Sequence, residues 1–153
     1  MPFLYYWTRD RFLADNQTPL GSEELAFAQN SPVMKDIRDS RLWVFTLSRD
    51  DVMVLAASVM VSQTVEQQEP SGQYRIVAVP GTSRRFRLIN PTVDLTPVLC
   101  SLSIATDWKN TSTIGGRFQG NNAVKRLSNS DDALLEAFSA TLKHASIGMV
   151  WRL

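Results

Sequence analysis

Two apolar runs dominate the hydrophobic pattern of this chain, over residues 42–47 and 52–61. Both are rich in Val, Leu, Trp, Phe, Ala or Met, and the link between them, residues 48–51, is short and polar. This pattern predicts two buried strands joined by a tight turn. A helix over residues 52–61 is the competing interpretation, because alanine and methionine tolerate it. We favour a strand, since the run is apolar on both faces and passes into β-branched and polar residues.

Strand patterns recur on both sides of this hairpin. Residues 3–8 are aromatic and β-prone and predict a first strand. Residues 74–79 and 84–89 flank the sequence Pro-Gly-Thr, a strong turn signal, and so predict a second strand pair. The apolar run at residues 99–106 predicts another strand, and residues 149–153 a last one.

Arginine alternates with apolar residues in the second strand of that pair. Arg85 and Arg87 are separated by Phe86 and followed by Leu88. Successive side chains of a strand point to opposite faces, so the two arginines are predicted to share one face. We expect that face to be wet or to bind a ligand.

Helix signals occur at two places. Residues 22–30 begin at a serine that can cap a helix and continue with two glutamates, and Pro32 would end the helix. Residues 131–145 carry an apolar stripe behind an acidic first turn, with Ser128 or Ser130 as the cap. This second helix is expected to end near a glycine at position 148.

The composition is that of an ordinary globular domain. Its 153 residues are 44% hydrophobic and 20% charged, which suffices for one domain with a proper core, spanning residues 1–153. Residues 110–122 are rich in Gly, Ser, Thr and Asn and predict a long loop. The order of elements predicts a small α+β domain with a strongly curved or closed antiparallel sheet.

Neither a membrane-spanning helix nor a signal peptide is predicted from the sequence. No uninterrupted apolar run reaches the roughly 18 residues of a membrane-spanning helix. The first ten residues lack the basic start and cleavage site of a signal peptide. Cys100, the one cysteine, cannot form an internal disulfide, which fits a reducing compartment. We therefore expect a cytoplasmic protein with no membrane partner.

The net charge of +1 hides a local excess of cations. Residues 1–69 hold six Lys or Arg against ten Asp or Glu, whereas residues 70–130 hold eight Lys or Arg against two Asp. Such an excess can mark a surface that binds a polyanion if the fold gathers it on one side. The alternative is that these cations are dispersed on solvated strands and loops.

Several short motifs follow one another along the chain. They comprise an aromatic strand end, a polar segment after the first predicted helix, a basic turn, the two hairpin strands and a basic residue before the last helix. In order they are Tyr6-Trp7, Ala28-Gln29-Asn30, Met34-Lys35 with Asp39, Leu42-Trp43-Val44-Phe45, residues 52–61 and Arg126-Leu127-Ser128.

In the content and order of these motifs the chain resembles the EVE branch of the PUA-like superfamily. Members are small β-barrel domains of about this length that bind nucleic acids, and some read modified bases. The resemblance spans nearly the whole chain and implies a PUA-like, strongly curved antiparallel β-barrel with two or three flanking helices. It also implies a non-catalytic reader of a modified base in DNA, such as 5-methylcytosine, acting as the specificity module of a restriction or defence system.

A reader of this kind flips a base out of the duplex and stacks it on aromatic rings, while polar groups read its edge. For Trp43, core packing is the favoured alternative. The expected pocket residues are Tyr6, Trp7, Gln29, Asn30, Trp43, Asp107 and Trp108. The expected phosphate contacts are Arg84, Arg85, Arg87, Lys109, Arg117, Lys125 and Arg126. We expect DNA in preference to RNA as the partner, a fused or separate nuclease as effector, and no cofactor or metal ion.

Two other functions stay open. Asp94, followed by Asp107 and Lys109, fits the loose nuclease pattern in which two carboxylates hold a divalent ion and a lysine activates water. Many unrelated chains match that pattern by chance. Alternatively, the aromatic residues are core and the protein is a structural or interaction module. A nucleophilic triad or a zinc site is not indicated, because His144 is the only histidine and no Cys/His cluster exists.

Overall fold

A mixed β-sheet is the frame on which the other elements pack. A computed structural model describes residues 1–10, 24–29, 32–48, 50–66, 74–79, 81–86, 94–118 and 123–145. The strands are β1 (Phe3–Tyr6), β2 (Glu24–Gln29), β3 (Arg41–Leu47), β4 (Met53–Glu66), β5 (Tyr74–Ala78), β6 (Arg84–Phe86), β7 (Val124–Arg126) and β8 (His144–Ala145). The helices are α1 (Thr96–Cys100), α2 (Thr111–Gly116) and α3 (Asn129–Ser139), with a 3-10 helix at Pro32–Lys35.

The sheet contains both parallel and antiparallel pairs, and its described strands form an open path. Six strands form the path β2-β5-β4-β3-β1-β7, and β6 pairs with both β4 and β8. β1 runs parallel to β3, because the chain between them makes a long crossover that includes β2. Among the described strands no pairing joins β2 to β7. The predicted α+β class is confirmed, whereas the expected antiparallel pairing is wrong for β1 and β3, and the described pairings do not show a closed barrel.

The predicted hairpin is the centre of the sheet. β3 pairs antiparallel with β4 along its whole length. In the link between them Asp51 has a φ of 60°, a left-handed conformation that aspartate tolerates better than most residues. The Nη2 of Arg9 donates to the carbonyl of Ser48 and to the carboxylate of Asp51, both at 2.5 Å. The segment after β1 therefore holds the hairpin turn in place.

β5 and β6 are strands, as predicted, but they pair with β4 rather than with each other. Because β6 joins the sheet beside the core, Arg85 is 7% exposed and Phe86 is 1% exposed. The prediction that Arg85 lies on a wet face is therefore wrong. Arg87 lies outside the described residues.

Three local predictions fail where tertiary contacts compete with local signals. The helix predicted over residues 22–30 is the strand β2, which pairs with β5. The strand predicted over residues 99–106 is instead the end of α1 followed by turns. At the start of that helix Asp94 accepts a hydrogen bond from the backbone of Thr96 at 2.9 Å. The loop predicted over residues 110–122 contains α2.

The last helix is capped by Ser128, one of the two serines predicted to cap it, and it begins at Asn129, two residues before the predicted start. The Oγ of Ser128 accepts from the backbone N–H of Asp131 at 3.1 Å, and Asp131 in turn accepts from the backbone N–H of Ser128 at 3.2 Å. This reciprocal pair is a capping box. The helix ends at Ser139 rather than at residue 145, and β8 then pairs with β6. Residues 149–153 lie outside the described part.

Apolar side chains pack on both faces of the sheet. Leu42 and Val44 belong to one core cluster, together with Met34 of the 3-10 helix. Trp43 and Phe45 belong to the other, which includes residues of all three helices. Alternate residues of β3 are thus divided between two cores, as the pleat of a strand requires. None of the described helices is long and apolar enough to cross a membrane.

Candidate functional site

A cleft of about 480 Å³ opens beside β7, at one end of the strand path. Its walls come from β7, from the segment between α1 and α2, from the end of α2 and from the 3-10 helix. The volume lies within the range of small-molecule pockets. The lining residues are Val33, Ile104, Thr106, Trp108, Arg117, Lys125 and Arg126.

β7 brings two adjacent cations to this cleft. Lys125 is in register with Leu4 and Arg126 with Phe3, and these two β1 residues belong to different core clusters. The Nζ of Lys125 lies 5.0 Å from the centroid of the Phe118 ring. The guanidinium carbon of Arg126 lies 5.2 Å from that of Phe3. Both distances suit cation–π contact, so each cation rests on an aromatic ring.

Trp108 is the aromatic residue of the cleft wall. The centroid of its ring lies 5.4 Å from that of Phe118, which itself lies 5.1 Å from Phe45 and 6.3 Å from Tyr6. Trp108 is 8% exposed, so most of its surface is packed against the core. The accessible part of the indole is consequently held in a fixed position.

The short helix α2 determines the position of Arg117. The side chain of Asn110 caps this helix by accepting a hydrogen bond from the backbone of Thr113 at 3.0 Å. Arg117 follows the helix directly, and its Nη2 donates to the Oδ2 of Asp107 at 2.6 Å. The ion pair connects the end of α2 to the residue that precedes Trp108 in the cleft wall.

The three cations of the cleft differ in their charge partners. Arg117 is paired with Asp107, and the Nη2 of Arg126 donates to the Oδ2 of Asp36 at 2.8 Å. Lys125 has no carboxylate partner among the described residues. Burial, and then the positive charge of Arg117, lowers the pKa of Lys125. Burial disfavours the charged form by removing water, and Arg117 disfavours it by repulsion, and no described carboxylate offsets either effect.

Five predicted site residues therefore meet at this place. Trp108, Arg117, Lys125 and Arg126 line the cleft, and Asp107 is bound to one of them. An unbalanced cation beside a rigid aromatic wall can hold an anionic group that carries a flat apolar substituent.

Trp7 and Trp43 lie in the core and not in the cleft. Both are 0% exposed, so neither could stack on a base while the core stays closed. The Nε1 of Trp43 donates to the Oδ1 of Asp132 at 2.7 Å, which ties β3 to α3. The expectation that Trp7 and Trp43 belong to the base pocket is therefore wrong. For Trp43 the alternative, core packing, is confirmed. Tyr6 is half-buried and stacks on Phe45 at 4.9 Å, and burial raises the pKa of its phenol.

The arginines of β6 are engaged elsewhere. Arg84 donates to both carboxylate oxygens of Glu136 on α3 at 3.2 Å, and Arg41 also contacts that carboxylate. Neither Arg84 nor the buried Arg85 lines the cleft, and exposed Lys109 does not line it either. The predicted residues Asn30 and Arg87 lie outside the described part, as does the side chain of Gln29.

The carboxylates of the nuclease pattern have local partners. Asp94 accepts a hydrogen bond at the start of α1, and Asp107 accepts from Arg117. In the described residues no group of three or more His, Cys, Asp or Glu is placed to hold a metal ion. The geometry therefore offers no specific support for a metal-dependent nuclease.

Sequence reasoning missed several residues of the cleft. Ile104 and Thr106 line it together with the predicted Trp108, and the spacing of two residues between them is a signal that could have grouped them. Val33 and the ion-pair partner Asp36 come from a distant part of the chain, and no local pattern connects them with β7.

A scan against protein-family models found no match, and searches of curated proteins and of solved structures likewise found no similar protein.

Proposed function

We propose that this protein is a nucleic-acid-binding domain of the PUA-like, EVE type that recognises a modified base in DNA. The observation that carries the proposal is the meeting of Trp108 with Arg117, Lys125 and Arg126 in one cleft. Cationic side chains are common phosphate contacts, and unpaired bases are bound by flat apolar surface with polar groups nearby. This cleft combines them.

Within the proposal each cleft residue has a distinct role. Lys125 binds the phosphate, because its charge is not balanced by a carboxylate among the described residues. The exposed part of Trp108 forms the apolar wall for the base. The hydroxyl of Thr106, an exposed residue of the lining, can donate to or accept from the base edge. Base–aromatic stacking is worth about 1–3 kcal/mol per base and does not depend on which base it is, so selectivity would come from the polar groups at the base edge.

The barrel fold, the base flipping and the biological role in this proposal come from the sequence resemblance. It suggests that the described open sheet is part of a strongly curved PUA-like barrel and that the base is flipped out of a duplex. The domain then serves as the specificity module of a restriction or defence system. Cleavage is left to a nuclease effector, fused or separate, since the described cleft contains no nucleophile paired with a base.

The test is fluorescence anisotropy with duplexes of one sequence that carry cytosine, 5-methylcytosine or 5-hydroxymethylcytosine at a single site. We expect one modified duplex to bind about tenfold more tightly than the plain one, with all affinities falling as salt rises. A matched RNA duplex should bind more weakly. Identical weak binding to every duplex would remove the modified-base proposal, and no salt-dependent binding at all would favour an interaction module.

A further inference from the structure

The two arginines of the cleft are held by carboxylates that do not line it. Arg117 is bound by Asp107 at 2.6 Å and Arg126 by Asp36 at 2.8 Å. Neither aspartate belongs to the lining, whereas both arginines do. Each carboxylate therefore occupies the guanidinium that an incoming anion would have to use.

Both ion pairs are open to solvent. The side chains are 49% and 58% exposed in the Arg117–Asp107 pair, and 51% and 56% exposed in the Arg126–Asp36 pair. Exposed ion pairs contribute little net free energy, because water solvates the separated charges well. A phosphate that accepts from the same guanidinium can displace the carboxylate at low cost. Lys125 needs no displacement, since no described carboxylate neutralises it.

We infer that Asp36 and Asp107 compete with phosphate for the cleft arginines and thereby weaken anion binding in the cleft. With both ion pairs closed, the charge of the two arginines is balanced and only Lys125 attracts an anion. A ligand that merely offers a phosphate then gains one contact. A ligand whose phosphates reach Arg117 or Arg126 must also displace the carboxylate that is bound there. Each aspartate thus lowers the affinity of the cleft for phosphate by the small free energy of an exposed ion pair.

This inference rests on the proposed function only for the identity of the anion as a nucleic-acid phosphate. It predicts that removing the negative charge of either aspartate beside the cleft strengthens binding. Asp36→Asn and Asp107→Asn should each raise the affinity for a plain duplex about two- to fivefold, the factor to which an exposed ion pair corresponds. The salt dependence should steepen by up to about 0.9 in log–log slope for each variant, since one more cation becomes available.

The control is Asp51→Asn, which removes the same charge from an ion pair with Arg9 at the hairpin turn, where the aspartate is exposed and the arginine is half-buried. Asparagine also tolerates the left-handed backbone of that position. If this variant raises affinity as much as Asp36→Asn and Asp107→Asn do, the effect is one of overall charge and the inference is overturned. If the cleft variants bind more weakly, the carboxylates orient the arginines for the ligand, which also overturns it.

A second measurement separates this inference from the proposed function. Titration of the wild type and both cleft variants with inorganic phosphate is followed by the Nε–H NMR signals of Arg117 and Arg126. We expect the signal of the released arginine to respond at a several-fold lower phosphate concentration in each variant. Equal midpoints in all three proteins would overturn the competition. A phosphate response as expected, with no binding to any duplex, supports the competition and removes the nucleic-acid proposal.

Discussion

Lys125 extends from the edge of the sheet over the ring of Phe118, with 5.0 Å between its Nζ and the ring centroid. The same ring packs against Trp108, so the cation and the aromatic wall of the cleft share one support. The position of the lysine is fixed by the register of β7 on β1, and that of the ring by the core beneath it. Charge and flat surface are therefore placed together by the fold itself.

Replacing Lys125 should weaken binding more than replacing any other described lysine. Lys125→Gln removes the unbalanced charge of the cleft, and we expect an affinity for duplex DNA about five- to tenfold lower, with the salt slope smaller by about 0.9. The measurement is anisotropy at several salt concentrations. Lys143→Gln, at an exposed position outside the cleft, is the control for net charge and should change little.

The lowered pKa of Lys125 predicts how binding depends on pH. Because burial and Arg117 favour its neutral form, this lysine loses its charge at a lower pH than an ordinary lysine, and phosphate binding should weaken there. Arginine stays protonated throughout that range. The affinity of Lys125→Arg relative to wild type should therefore rise as the pH approaches the ordinary lysine pKa of about 10.4 from below. A constant ratio would show that residue 125 does not contact the anion.

We expect Trp108 to contribute to ligand binding and Trp43 to contribute to the stability of the fold. Trp108→Leu removes the aromatic wall and should lower the affinity about tenfold. Trp108→Phe keeps an aromatic ring and should lower the affinity less. Trp43→Phe removes the hydrogen bond to Asp132 and should lower the free energy of unfolding by about 1.5–3 kcal/mol. Urea unfolding and anisotropy on the same three proteins provide the check. A binding defect in folded Trp43→Phe would contradict the assignment.

Asp131 should make stability depend on acid pH. Burial alone would raise the pKa of its carboxyl, but hydrogen bonds from Ser103 and Ser128 outweigh burial and lower it. The carboxylate therefore stabilises the folded protein fully above its unfolded pKa of about 3.9, and this contribution is lost as the pH falls further. Asp131→Asn should be less stable than wild type by about 2 kcal/mol at pH 7. The difference should shrink below about pH 4 in urea unfolding experiments.

The parts of the fold that local patterns specify were predictable. The β3–β4 hairpin follows from two apolar runs around a polar link, and the start of α3 from Ser128 and Asp131 three residues apart. In both cases the residues that interact are close in sequence. The candidate site was predictable to the extent that its cations and Trp108 lie in the basic middle segment of the chain.

Amino-acid sequence alone determined the α+β class, the central hairpin, the capped helix and the types of residue available to a binding site. Only the tertiary structure decided that β2 is a strand beside β5, that Trp43 faces a core covered by α3, and that Arg84 is engaged by Glu136. It also decided which cations share a cleft with Trp108. Each of these outcomes depends on partners far away in the chain, whose contact energies outweigh the local preferences that a sequence pattern displays.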